Sequence, residues 1–215
     1  MQETELIQIW KTYQQKLDAS LKMNKKCLQE IQLMKASSAL NSVRRTRWTG
    51  IIFGILWLSF IGFLIYHSLS WSKLAFVVSA LIHFIVSAYA IIVYIEHLIL
   101  LNQFDNSNTI IEAQQKLVLL STSNLRVLGI LLLQLPVFST WHMSAEWMHS
   151  SPETFWGIHV PVVFVQACLG WWAFRNLHYR NHEKKWFRWF VSKGEFATIK
   201  KATTILKEAD LPTLS

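Results

Sequence analysis

LAFVVSALIHFIVSAYAIIVYI, residues 74–95, decides the fold. These 22 residues carry no formal charge, and only Ser79, His83 and Ser87 interrupt the apolar and aromatic side chains. A helix needs about 20 such residues to cross the hydrocarbon core of a bilayer. Working outward, residues 49–67 repeat the pattern on the N-terminal side. On the C-terminal side, residues 127–141 are apolar around Gln134 and Pro136, and residues 156–174 around His159, Pro161 and Gln166. The expected fold class is all-α: a polytopic membrane protein with four transmembrane helices. The last two spans stand or fall together, because losing one would move the C-terminal tail across the membrane.

The charges orient this layout. Of the 21 Lys and Arg residues, nine precede the first span, nine follow the last, and Lys116 and Arg126 lie between the second and third. Only Lys73 falls on the opposite side. Cytoplasmic loops carry the Lys/Arg excess, so both termini are expected in the cytoplasm and the membrane is expected to be the inner one. Trp48, Trp71, Trp141, Trp156, Trp171 and Trp172 sit near span ends, where the amphipathic indole favours the interface. A secretory signal would place an apolar core near the start. The first 47 residues are polar, so the first span is read as the insertion signal. Cys27 and Cys168 fall in different environments, and free thiols are expected. The net charge of +8 also fits nucleic acid, but span orientation and anionic lipid already account for basic flanks, so nucleic acid is set aside.

Three regions follow. Residues 1–47 contain no Pro or Gly and read as one amphipathic, coiled-coil-like helix, roughly 65 Å long if unbroken. Leu6, Trp10, Tyr13, Leu17, Leu21, Leu28 and Ile31 recur at steps of mostly three and four, which places them on one face. Asn24 fills the gap in the series; it is either a register-fixing core residue or simply solvated. Two consecutive four-residue steps around Leu17 resemble a stutter. Lys11, Lys16, Asp18, Lys22, Lys25 and Lys26 take the other face, and Ser37 and Ser38 mark a candidate break before Arg44, Arg45 and Arg47. Such a stripe needs a partner, and the candidates are the C-terminal tail, a second copy or a different protein.

Residues 48–175 form the transmembrane domain. Its internal cytoplasmic loop, 102–126, is expected to hold a short helix capped from Asp105, Asn106, Ser107 or Asn108, and this helix could join the third span. Residues 176–215 form a basic, aromatic tail. Residues 175–190 mix cations with Trp186, Phe187, Trp189 and Phe190, which suits an interfacial helix better than base stacking. After Gly194, Phe196, Ile199, Ala202, Thr203 and Leu206 line one side of a short helix, the natural intrachain partner for the N-terminal stripe.

Chemistry is sparse. His142, Glu146 and His149 would share a face if the outer loop were helical, a geometry a metal could use. Their spacing is H-x-x-x-E-x-x-H, which is not an established zinc motif, so they are weak candidates and no cofactor is expected. Glu96 and His97 close the second span and are placed at the cytoplasmic interface. His83 lies mid-span, where an interhelical hydrogen bond is the ordinary account and a proton path through Gln134 and Gln166 the bolder one. Gln134 and Gln166 can bond across helices, and Pro136 and Pro161 can kink them. The sequence has no Walker, G-x-G-x-x-G or G-x-S-x-G pattern.

The opening IWKTYQQKLDASLKMNKKCLQEIQLMKASSAL, the QLPVFSTW segment, and HEKKWFRWF with the tail helix resemble a group of small membrane proteins common in Bacteroidota. The resemblance covers nearly the whole chain. It implies four spans and an association with regulatory genes, including alternative sigma factors, but no activity for any residue. The expected function is therefore a non-enzymatic regulatory or scaffolding membrane protein. Its partners are the lipid bilayer and either a soluble cytoplasmic protein or a second copy, with the stripe Leu6 to Ile31 as the contact. The alternative is an oligomeric pore or transporter built on the third and fourth spans. A metal protein on His142, Glu146 and His149 comes last.

Overall fold

The computed structural model describes residues 3–69, 73–107, 109–143, 145–177, 181, 184–187 and 194–210. Among these the chain is all-helical, and four helices are long and apolar enough to cross a membrane. The first, α1, runs unbroken over Glu3–His67. Residues up to Gly50 include no helix breaker, and Leu, Lys, Gln and Glu favour the helical backbone. The candidate break does not occur. At that level Ser37 Oγ donates to Asp105 Oδ1 at 2.6 Å and Arg44 pairs with the same carboxylate, which fastens α1 to α2.

Helix α2 covers Leu74–Asp105 and α3 covers Ile110–Leu132. The expected loop over 102–126 is therefore a helical hairpin, and its short helix joins the third span directly. The cap is not one of the four residues expected. Thr109 takes that place, its hydroxyl accepting from the Glu112 backbone N–H at 3.2 Å. Thr-x-x-Glu is the capping-box spacing. Lys116 Nζ braces the turn by donating to the Gln103 carbonyl and the Glu112 carboxylate, both at 2.6 Å.

The third span is interrupted where Pro136 removes a backbone donor. It resumes as α4, Leu135–Ser139, followed by a 3₁₀ turn, Thr140–His142. Short helices α5, Ala145–Ser150, and α6, Pro152–Thr154, lead through a π turn, Phe155–His159, into α7, Val160–Asn176. The π turn precedes Pro161, whose missing N–H disrupts the regular ladder. A left-handed Gly194, φ 68°, opens the last helix, α8, Glu195–Asp210.

Two layers result. Within the apolar layer, α1 and α2 approach closely because Gly50 and Gly54 lack side chains. A Cβ on either would lie 2.8 Å from Tyr94 or Ile91. This is small-xxx-small packing, which lets backbones meet in a bilayer. Gly170 on α7 likewise passes the Leu132 carbonyl, where a Cβ would sit 2.8 Å from the oxygen. Beyond that layer lies a second core. Leu40 and Val43 of α1, Leu101 and Phe104 of α2, Leu117 and Leu120 of α3, and Ile199 and Leu206 of α8 are all buried together. Here α8 replaces α7 as the fourth helix, and the base packs like a soluble bundle.

Candidate functional site

At the junction of the two layers stands a buried cation. Arg47 is 2% exposed. Its guanidinium lies over the Tyr94 ring at 4.5 Å, and Nη2 donates to Asn124 Oδ1 at 2.8 Å and to Glu195 Oε2 at 2.6 Å. Four helices therefore meet on one side chain: α1 supplies Arg47, α2 Tyr94, α3 Asn124 and α8 Glu195. A buried charge is tolerated only when paired and hydrogen-bonded, and this one is both. Burial raises the Glu195 carboxyl above its ordinary value, and Arg47 and a hydrogen bond from Asn124 pull the other way. Beside the pair, His97 is buried, with Nε2 2.8 Å from Ser123 Oγ. The histidine expected at the interface is thus enclosed between α2 and α3.

A second polar seam runs through the apolar layer. His83 is fully buried, and Nδ1 lies 2.6 Å from Gln134 Oε1. Ser79 and Thr140 hydroxyls are 2.8 Å apart, and Ser139 Oγ donates to Gln166 Oε1 at 2.6 Å. Gln134 and Gln166 both bond across helices, but to different partners: α2 in the first case, α4 to α7 in the second. Trp141 lies at this seam, its ring centroid 5.4 Å from that of His83. Ser139 and Gln166 of the third and fourth spans face one another, whereas Gln134 and Thr140 face α2. Phe164, Val165 and Leu169 make the outer face of α7 apolar and exposed.

The N-terminal stripe corrects an expectation. Leu6, Trp10, Tyr13, Leu17, Leu21, Leu28 and Ile31 are all exposed, Leu17 at 59% and Leu21 at 57%. The tail helix does pack on α1, but against Ala36, Leu40 and Val43, next to Leu101 and Leu117. It lies along α1 and α3 at that level and does not reach the stripe. Residues 6–28 are exposed at every position. At 1.5 Å per residue they extend the rod by roughly 34 Å beyond the bundle.

Met143 is extended (φ −70°, ψ 117°), so His142 ends one element while Glu146 and His149 belong to α5. The spacing argument for a common face required one continuous helix, and the side chains of His142 and Glu146 lie outside the described residues. Much of 175–190 also lies outside them. Of the part described, Phe187 is buried against Leu125, Ala173 and Leu177, so it packs on the protein and not in a headgroup layer. Cys27 and Cys168 are free and exposed.

Nothing in the sequence marks out Arg47 as an individual, or Glu195 at all. Arg47 sits in an Arg-rich flank that the charge rule already explains, and nothing local marks its partner. Gly50 and Gly54 did carry a local signal in their spacing. Comparison with known proteins returns no match: no family model, no curated protein and no solved structure aligns with the chain.

Proposed function

We propose that this chain is a non-enzymatic, membrane-anchored docking protein of the inner membrane, with both termini in the cytoplasm. Its helical rod presents an apolar stripe to a soluble partner. One observation carries the reading: a stripe of seven apolar side chains is exposed along a helix that is rooted in the base core and seated against α2 at Gly50 and Gly54. Fully burying one Leu or Ile is worth roughly 1.5–3 kcal/mol, so a cover for this stripe gains considerably. Charge selects the cover. Lys11, Lys16, Lys22, Lys25 and Lys26 flank the stripe against only Asp18 and Glu30. Two copies side by side would set lysines against lysines, whereas an acidic amphipathic helix complements them. In the form implied by the resemblance, the partner is a soluble regulator of transcription held at the membrane. The orientation follows from the basic flanks.

The test uses the full chain purified in mild detergent, alone and from its native membrane. Wild type should retain one soluble protein in stoichiometric amount, and Leu17→Asp with Leu21→Asp should lose it while keeping the same thermal midpoint. A wild-type homo-oligomer that the double variant disperses would make the partner a second copy. A partner retained equally by both forms, or no partner and no assembly in either, ends the docking reading. For orientation, an impermeant maleimide should label Ser150→Cys in intact cells and reach Cys27 only after permeabilisation.

A further inference from the structure

A slot of about 430 Å³ lies between α1 and α3, both of which pack on α2. Gly50 and Phe53 line it on α1, Leu128 and Leu131 on α3, and Tyr94 of α2 at the back. It is closed at both ends. On the side of the basic flank, Arg47, Asn124 and Glu195 shut it, bound to one another. Farther into the span, Trp57 of α1 reaches across to the third span. Its ring stacks on Trp141 at 6.3 Å and lies 6.5 Å from Phe138. Gly50 to Trp57 is seven residues, so the apolar part of the slot is roughly 10 Å tall. Its sides remain open. Leu128 and Leu131 are half-buried, and Phe53 at the lip is 67% exposed, so the slot is entered laterally, from where lipid would be.

The shape selects the filler. A helix crossing the bilayer is a rod about 10–12 Å across, and the Trp57 bridge keeps such a rod out of the slot. Left empty, the apolar lining forfeits its dispersion contacts. An apolar void also stays dry and takes apolar guests. The surrounding leaflet offers one flexible apolar guest, the hydrocarbon chain. In the base, α8 fills this same interval between α1 and α3. The span has no chain segment of the protein in that place among the described residues. The polar end adds no selection. Arg47 is enclosed, and the Thr46 and Thr49 hydroxyls donate to the Ser42 and Arg45 carbonyls of their own helix, at 3.0 Å each. No reachable donor among the residues that line the slot waits for a phosphate.

We infer that this slot holds one acyl chain of a phospholipid from the leaflet on the side of the basic flank, recognised by its hydrocarbon and not by its headgroup. The chain enters past Phe53, packs on Leu128 and Leu131, and ends beneath Trp57. It joins α1 to α3 in the span as α8 joins them in the base. The outer face of α7, with Val165 and Leu169 exposed, has no such recess and meets lipid only as a surface.

The test titrates phosphatidylcholine carrying a diazirine near the end of one chain into the full chain, held in micelles of a rigid steroid detergent. Adducts are mapped by mass spectrometry after illumination. Labelling of Leu128 and Leu131 should saturate at a single lipid per chain, whereas labelling of Val165 and Leu169 should rise linearly with the lipid fraction. Leu128→Trp fills the slot and should remove the saturable labelling while leaving that of α7 unchanged. If that variant does not fold, Thr49→Phe obstructs the mouth from an exposed position and should weaken the saturable labelling at least tenfold. Phosphatidylglycerol with the same chains should compete equally. Lipid extracted from protein purified from its native membrane in the same detergent should be phospholipid. Linear labelling at all four positions, saturable labelling that survives the slot variants, a tenfold preference between the two headgroups, or a free fatty acid recovered in place of phospholipid would each overturn the assignment.

Discussion

Arg47 Nη2 lies 2.6 Å from Glu195 Oε2, and this contact ties the first helix of the chain to the last. The pair sits where the soluble-like base meets the apolar layer, and Asn124 and Tyr94 complete its surroundings. The tail helix is therefore an integral part of the fold.

Removing one member should be worse than removing both. Arg47→Leu leaves a partly buried carboxylate without its cation and should cost up to about 3 kcal/mol. Arg47→Leu with Glu195→Leu replaces the pair by apolar packing and should recover most of that loss. Reversible unfolding in mixed micelles measures both. Equal losses in the single and double variants would show that the two side chains are not coupled.

The same carboxyl makes stability depend on pH. Burial raises Glu195 above its ordinary value, so the native state takes up a proton at a pH where the unfolded chain has released it. As pH rises from the ordinary carboxylate value through the raised one, the unfolded state binds fewer protons and stability falls. The thermal midpoint should decline across that window in wild type and flatten there in Glu195→Gln. Identical profiles in the two proteins would assign the dependence to another group.

Two leucines on the same surface chemistry should behave in opposite ways. Leu206 is fully buried in the base core, and Leu206→Ala should cost about 2–5 kcal/mol. Leu17 is exposed, and Leu17→Ala should change the stability of the isolated protein by less than about 0.5 kcal/mol. Proteolysis of the tail follows the first substitution and not the second. A large loss at Leu17 would mean that the rod is covered within the isolated protein.

Residues 74–95 were legible because one property, uncharged apolar length, dominates every position. A helix over 1–47 was legible because no Pro or Gly precedes Gly50, but the candidate break at Ser37 and Ser38 was not borne out, and α1 runs on without interruption into the first apolar stretch. The hairpin at 106–109 was harder. Asp105, Asn106 and Ser107 are all good caps in isolation, and the choice of Thr109 depends on Glu112 and on where Lys116 reaches. Arg47 could not be distinguished from Arg44 and Arg45 by any local property. Its burial follows from helix phase and from a carboxylate near the far end of the chain. The stripe at Leu17 and Leu21 was legible as apolar, but it was expected to be packed, with the tail helix as its natural intrachain cover, and the tail helix instead takes a deeper seat on α1 beside Leu40 and Val43.

The single uninterrupted α1 makes the molecule a lever. Fastened to the base core at Leu40 and Val43 and to α2 at Gly50 and Gly54, it turns with the whole bundle, and its far end carries the free stripe. Helices answer a change in bilayer thickness by tilting. With roughly 66 Å between Leu6 and Gly50, a tilt change of about 10° would carry the tip through roughly 11 Å. Without a hinge along that arm, a protein seated on the tip would be displaced by any change in the angle at which the span crosses the bilayer.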